Sequence, residues 1–275
     1  MDHYRTEDGT IAYELLAAHE NPSGAPTLTL LHNFMSTGRA AWGALLPLLN
    51  RRFRILLPDL PGHGASEGYP AGFDHRTIAG QLGALMYEVG AERGHLAGCS
   101  SGGMVAQRMV QHGIIVPRTL TLVSTTYSTN PHTTGVTNPV TPERFQAGRN
   151  WLQATAKLHD PQHGEDYFDT VLLPGFRNLT PATTVDMAVS DMAQVQTPIC
   201  LIQGDQDEFF PPRIVQQMAE AYPNIEVHLI AGQTHALLFR APAKVGEVMA
   251  EFLEKHTENA KSRFTTRNYE SDTQP

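Results

Sequence analysis

Two hydrophobic periods take turns along this chain. Short apolar runs recur at "TLTLLHN" (27–33), "FRILLPDL" (53–60), "GHLAGCS" (94–100), "RTLTLVSTT" (118–126), "PICLIQG" (198–204) and "IEVHLIAG" (225–232). Their length and flanking turn residues predict strands, the first two buried on both faces. Between the runs the apolar spacing widens to three and four. Trp42, Leu45, Leu46 and Leu49 form one helical stripe, and Ile78, Leu82, Leu85, Met86 and Val89 form another. "SGGMVAQRMVQH" opens a helix directly after its strand. Ile214, Val215, Met218 and Tyr222 mark a further helix, and Val245, Val248, Met249, Phe252 and Leu253 mark the closing one. Ahead of all this, residues 4–17 predict a hairpin turning at Asp8-Gly9.

Strand and helix in alternation predict a parallel sheet covered by helices on both faces, an α/β fold. Over 127–193 the alternation stops. This stretch opens with a Thr/Asn/Pro-rich linker and holds two candidate helix starts, Thr141-Pro142 and Thr180-Pro181, each a capping residue before a first-turn proline. Phe145, Trp151, Leu152, Phe168, Leu172, Leu173 and Phe176 make it rich in large apolar groups. The expectation is a helical cap over 127–193, its aromatics forming mainly a core of their own. The sheet domain then comprises 1–126 and 194–256. From about Lys255 the chain turns polar and loses its period, so 257–275 is expected to be a loosely docked tail.

Composition narrows the function more than the fold. A chain of 275 residues with 41% hydrophobic content suits one large domain. The formal charge of −8, with no basic cluster, argues against a nucleic-acid partner and reads as a solvated surface. The start "MDHYRTEDGT" does not have the pattern of a signal peptide, and no apolar run is long enough to span a membrane. Two cysteines, Cys99 and Cys200, give no disulfide framework and point to a reducing, cytoplasmic setting. No Cys/His spacing suggests a zinc site. A homodimer is compatible with all of this.

The chemistry centres on "AGCSSGG". A nucleophile on a sharp strand-to-helix turn needs small neighbours two residues before and after it. Cys99 and Ser101 lack that pattern, whereas Ser100 has Gly98 and Gly102. Serine is a weak nucleophile without a base. Parallel sheets place reactive groups beyond the carboxyl ends of their strands. There His235 follows the last strand, and Asp205 or Asp207 follows the strand before it. A carboxylate would fix the imidazole's tautomer and stabilise its cation. His32, His63 and Asp59 lie in motifs where loop organisation is the simpler role, and Cys99 reads as a small buried hydrophobe.

Together "LLHNF", "PDLPGHGASEG", "LAGCSSGGMVAQ", "LIQGDQDEFFPP" and "AGQTHALL…EFL" resemble a serine hydrolase of the α/β-hydrolase fold across roughly residues 5–255. The resemblance implies a mostly parallel eight-stranded sheet and the triad Ser100, Asp207 and His235, with Asp207 as the last residue of G-x-x-D. It also implies an oxyanion hole from the backbone N–H groups of Phe34 and Ser101. No cofactor or metal is implied. Three positions depart from the usual pattern: Asn33 replaces a glycine, Cys99 a polar residue, and Ser101 a larger apolar one. The implied substrate is a small ester or lactone, as in esterases, enol-lactone hydrolases and perhydrolase-like esterases. Carbon–carbon hydrolysis of a diketone is the runner-up. A cofactor-free oxygenase and a slow-turnover ligand-binding protein are the alternatives outside the class.

Overall fold

Each predicted apolar run forms a strand. The computed structural model describes residues 1–67, 73–137 and 148–264. Its strands are β1 (Asp2–Arg5), β2 (Thr10–Leu16), β3 (Thr27–Leu31), β4 (Arg54–Pro58), β5 (His95–Cys99), β6 (Thr119–Val123), β7 (Ile199–Gly204) and β8 (Ile225–Ile230). They form one sheet in the order β1-β2-β4-β3-β5-β6-β7-β8. The hairpin sets Arg5 opposite Thr10, and β2 runs antiparallel to β4. Every pairing from β4 to β8 is parallel. All residues of β3, β5, β6 and β7 are buried, which is why their sequences lack polar alternation. At the sheet edge β8 is only partly covered.

The helices are α1 (Gly38–Trp42), α2 (Leu46–Leu49), α3 (His75–Glu88), α4 (Ser101–Gln111), α5 (Pro131–Thr134), α6 (Gly148–His163), α7 (Leu173–Arg177), α8 (Val189–Gln194), α9 (Pro212–Ala221), α10 (Leu237–Arg240) and α11 (Pro242–Phe264). Strand side chains alternate between two layers. Leu28, Leu30, Ile55, Leu57, Cys99 and Ile202 pack with α1, α2 and α11 through Trp42, Leu49, Met249 and Phe252. On the other face Leu31, Leu56, Leu96, Leu122 and Leu201 pack with α3, α4 and α9 through Leu85, Val105 and Met218. This second layer carries the site.

Four expectations are revised, and others lie outside the described residues. The stripe from Trp42 to Leu49 is buried as predicted, but it forms two short helices. Pro47 cannot donate to Gly43 O and would clash with that carbonyl in a continuous helix, so it serves as the first turn of α2. Thr180-Pro181 starts a turn and no helix. The Thr183 N–H and the Thr184 hydroxyl bond back to Thr180, and the β-branched run Thr183-Thr184-Val185 leads into a bridge between Asp186 and Ser128. The closing helix continues past Lys255 to Phe264, so the first part of the expected tail is helical. Phe168, Leu172 and Phe176 share the sheet's own core with Phe34 and Phe73, forming no separate one. The Thr141-Pro142 start, Phe145, the Trp151 side chain and the tail beyond 264 lie outside what is described.

Candidate active site

Because β3, β5, β7 and β8 are parallel, the loops leaving their carboxyl ends meet at one edge. Ser100 sits between β5 and α4 with φ 50° and ψ −118°, a conformation that L-residues rarely adopt and that costs on the order of 1–3 kcal/mol. The neighbouring glycines allow it. A Cβ on Gly102 would lie 2.4 Å from Leu31 O, and one on Gly98 would lie 2.3 Å from Gly102 O. The turn is tied down by the Ser100 N–H donating to Val123 O at 2.9 Å and the Thr125 hydroxyl donating to Ser100 O at 2.7 Å.

The other two residues arrive from loops far along the chain. Ser100 Oγ stands 3.0 Å from His235 Nε2, and His235 Nδ1 stands 2.9 Å from Asp207 Oδ2. The His235 ring is nearly buried and the Asp207 side chain fully so. A buried carboxylate needs its lone pairs filled. The backbone N–H groups of Phe209 and Phe210 donate to Oδ1 at 2.9 and 2.8 Å, and Gln203 donates to Oδ2 at 2.9 Å. The Phe209 and Phe210 rings also stand edge-on to the imidazole, with centroids 5.0 and 5.2 Å away. Asp205 points elsewhere and accepts from the Gly232 N–H at 2.7 Å, bracing the turn after β8.

Phe34 and Ser101 line the same cavity of about 510 Å³ as Ser100 and His235. Phe34 lies in a tight turn after β3, where Ser36 N–H returns to Asn33 O and Met35 takes φ 62°. Among the described residues neither the Phe34 nor the Ser101 N–H has a backbone acceptor. Asn33 points Nδ2 back to its neighbour's carbonyl, Phe34 O, at 3.2 Å. Beneath the turn, His32 donates from Nδ1 to Asn33 O and accepts from the Leu60 N–H at Nε2, both at 2.7 Å. Burial holds its pKa down at about 3, so the ring is neutral. Asp59 spends both oxygens on the Gly38 and Ala65 N–H groups, and His63 donates to Pro61 O. These three are loop organisers, as expected.

Cys99 faces the opposite layer from the cavity, and burial raises its thiol pKa far above the usual range. Cys200 is likewise buried, with its thiol pushed up to about 12. Both are free thiols. Among the described residues no three His, Cys, Asp or Glu side chains group as a metal would require, and no helix is long and apolar enough to cross a membrane. Sequence reasoning missed two supports. Glu208 accepts the His235 N–H at 3.0 Å, and His159 of α6 places Nε2 3.2 Å from Ser36 O, under the Phe34 turn. Adjacency to Asp207 could have flagged Glu208. No local signal marks the His159 contact with Ser36 O, 123 positions away, since the other ring nitrogen stays within its own helix, 2.8 Å from Thr155 O.

The comparisons agree with this architecture. A model of the alpha/beta hydrolase family matches residues 24–248. RutD of Pseudomonas savastanoi pv. phaseolicola, named provisionally as a carbamate hydrolase, is 28% identical over 254 residues, covering 85% of this chain and 95% of its own. A hydrolase from Pseudomonas aeruginosa superposes with a TM-score of 0.71 at 21% identity, covering 92% of this chain and 97% of that one. Carboxylesterase CesB of Bacillus subtilis does so with a TM-score of 0.68 at 18% identity, covering 92% and 90%. At those identities the structural likenesses speak for the fold alone, but the family model spans most of the sequence. The chain belongs to the alpha/beta hydrolase family.

Proposed function

We propose that this hydrolase cleaves a small carboxylic ester or lactone through an acyl-enzyme formed on Ser100. The observation that carries this reading is the unbroken line from Ser100 Oγ through His235 to Asp207, with Ser100 and His235 on the wall of the cavity. His235 Nε2 takes the Ser100 proton as Oγ attacks the carbonyl. Asp207 accepts from Nδ1–H, which fixes the tautomer that leaves Nε2 basic, and stabilises the imidazolium. The N–H groups of Phe34 and Ser101 receive the oxyanion, each contributing about 3 kcal/mol to the lowered barrier. His235 then protonates the leaving alcohol, and water attacks the acyl group by the same steps in reverse. The segment between β6 and β7 acts as the cap, placing Phe176 beside the oxyanion turn with its ring centroid 5.4 Å from that of Phe34. The reaction needs no cofactor.

A carbamate carbonyl suits the same attack, and the likeness to RutD favours it as the second reading. Labelling with a fluorophosphonate probe, followed by peptide mapping, tests the mechanism. The expected adduct is on Ser100, with ester turnover lost in Ser100→Ala. Turnover that survives Ser100→Ala with oxygen uptake would replace the mechanism by an oxygenase. Tight ester binding by folded, unlabelled wild-type protein without turnover would make it a binding protein.

A further inference from the structure

The cavity wall beyond Ser100 includes the segment after β6 and the first turn of α3, and four of its hydroxyls have already committed their protons. Ser128 Oγ–H donates to Asp186 Oδ1 at 2.6 Å, Thr134 Oγ1–H to Asn130 O at 3.1 Å, and Thr184 Oγ1–H to Thr180 O at 2.7 Å. Since Thr184 has given its proton away, the 2.7 Å contact between the Thr129 and Thr184 hydroxyls uses the proton of Thr129. A hydroxyl carries one proton and two lone pairs. All four residues line the cavity, so their hydroxyls have only lone pairs left to offer an occupant. Thr129 is the least engaged, because Ser128 and Thr134 also accept from the Asn130 and Val136 N–H groups.

His75 completes this wall. It is 1% exposed, lines the cavity, and its Nδ1 is buried without a hydrogen-bond partner. The His75 N–H is fixed on Thr183 O at 2.8 Å, and the next carbonyl, Thr184 O, takes Arg108 Nε at 2.6 Å. Burial, with Arg108 adding to it, holds the His75 pKa at about 4, so the ring is neutral and offers one donor and one acceptor. A buried polar ring with an unfilled position costs stability unless something fills it. Arg108 lies eight residues along α4 from Ser100, about 12 Å of helix rise, so its contact with Thr184 O lies toward the far end of α4. Among the described residues the cavity lining contains no Asp or Glu, so a cationic group would meet no counter-charge there, and its one Arg or Lys, Arg177, already has an interaction of its own.

We propose that this wall is a subsite for a neutral hydrogen-bond donor, an O–H or amide N–H, carried on the substrate several bonds from its scissile carbonyl. His75 and Thr129 are its specificity-determining residues. The proposal rests on Ser100 as the reacting centre.

Matched p-nitrophenyl esters test it: plain, ω-hydroxy, ω-acetamido and ω-carboxy alkanoates over increasing chain length. At the length that spans the cavity, kcat/KM for the hydroxy and acetamido esters should exceed the plain ester by about tenfold, mainly through KM. The readout is that ratio, so a general loss of activity in a variant cancels. It should fall toward one in His75→Leu and in the near-isosteric Thr129→Val. His75→Gln, which keeps a donor and an acceptor, should retain most of it. A ratio of one at every length, a ratio untouched by both variants, or a preference for the carboxylate overturns the subsite. Calorimetry on Ser100→Ala with the corresponding methyl esters reads the same ratio as Kd, independent of turnover. Turnover without the ratio is a failed subsite, whereas the ratio in Kd without wild-type turnover is a failed hydrolase.

Discussion

Acidification should unfold this protein well before its carboxylates protonate, because its buried histidines exclude protons. Burial is the largest cause of the low pKa in each case, with His32 and His95 held at about 3, His75 at about 4, and His63 well below the ordinary 6.5. In the unfolded chain the same rings titrate near 6.5. Between those limits the unfolded state binds protons that the folded state does not, so stability rises with pH through the window and levels off above about 6.5. At pH 5 the gap from 6.5 is about 1.5 units, or about 2 kcal/mol for each of His32, His75 and His95. Together that is about 6 kcal/mol, a large share of the 5–15 kcal/mol typical of a domain. Asp59 works the other way, since burial raises its carboxyl and the folded state gains as that group protonates. Asp186 and Glu14 are lowered, so their contribution persists through this window and is lost only below about pH 4. Urea unfolding at fixed ionic strength, followed by the fluorescence of buried Trp42, measures the slope. His32, His75 and His95 should together take up about three protons on unfolding near pH 5, with His63 adding to that uptake and Asp59 subtracting from it. In His95→Gln the uptake should fall by about one, whatever that variant's baseline stability. An unfolding free energy that is flat or rising from pH 7 to pH 5 refutes the reasoning.

The site yields sharper mutational contrasts. Asp207→Asn should lower kcat by about 10⁴-fold through the wrong imidazole tautomer, whereas Asp205→Asn, which only loosens the turn at Gly232, should cost far less; equal losses in steady-state ester assays would undo the assignment. Gly102→Ala drives a methyl group against the Leu31 and His32 carbonyls, so soluble yield and fluorophosphonate labelling should both drop; a folded, fully labelled variant would show that the elbow tolerates a Cβ. His159→Phe removes the ring nitrogen beneath Ser36 O and should lower kcat about tenfold with a smaller change in KM, with His159→Gln recovering part of it; wild-type kcat in the Phe variant would uncouple α6 from the oxyanion turn.

The sheet was legible because burial on both faces leaves no other pattern for β3, β5, β6 and β7 to carry. The break at Pro47 was also written in the chain, but the unbroken stripe from Trp42 to Leu49 masked it. That stripe reports burial, and burial survives a kink that backbone bonding does not. Thr180-Pro181 misled for a related reason. A threonine that can cap a helix can as readily close a turn, and three β-branched residues downstream decide the matter. Residues 255–264 look aperiodic because a helix end needs little apolar surface to continue from a well-docked start. Thr257 bonding back to Leu253 O and Lys255 pairing with Glu226 are the kind of local support that hydrophobic pattern does not register.

The site divides along the same physical line. Ser100, Asp207 and His235 could be found because each is fixed by its own strand end, and a parallel sheet brings strand ends together whatever else the chain does. Strand ends alone left Asp205 and Asp207 open, and the G-x-x-D resemblance chose Asp207. In the fold the two carboxylates differ in burial and in the donors around them: Phe209, Phe210, Gln203 and His235 for Asp207, and Gly232 for Asp205. The residues that would tune the reaction, His159 beneath the oxyanion turn and His75 on the far wall, depend on where the segment after β6 settles over the sheet. Its contacts with the core span 105 and 123 positions, at Tyr167 on Gly62 O and His159 on Ser36 O. Such contacts are set by packing between distant segments, and no local spacing encodes them. On the proposed reading, the reacting groups are therefore legible from strand ends, whereas the residues proposed to tune them depend on how the segment after β6 packs against α3 and the β3 loop.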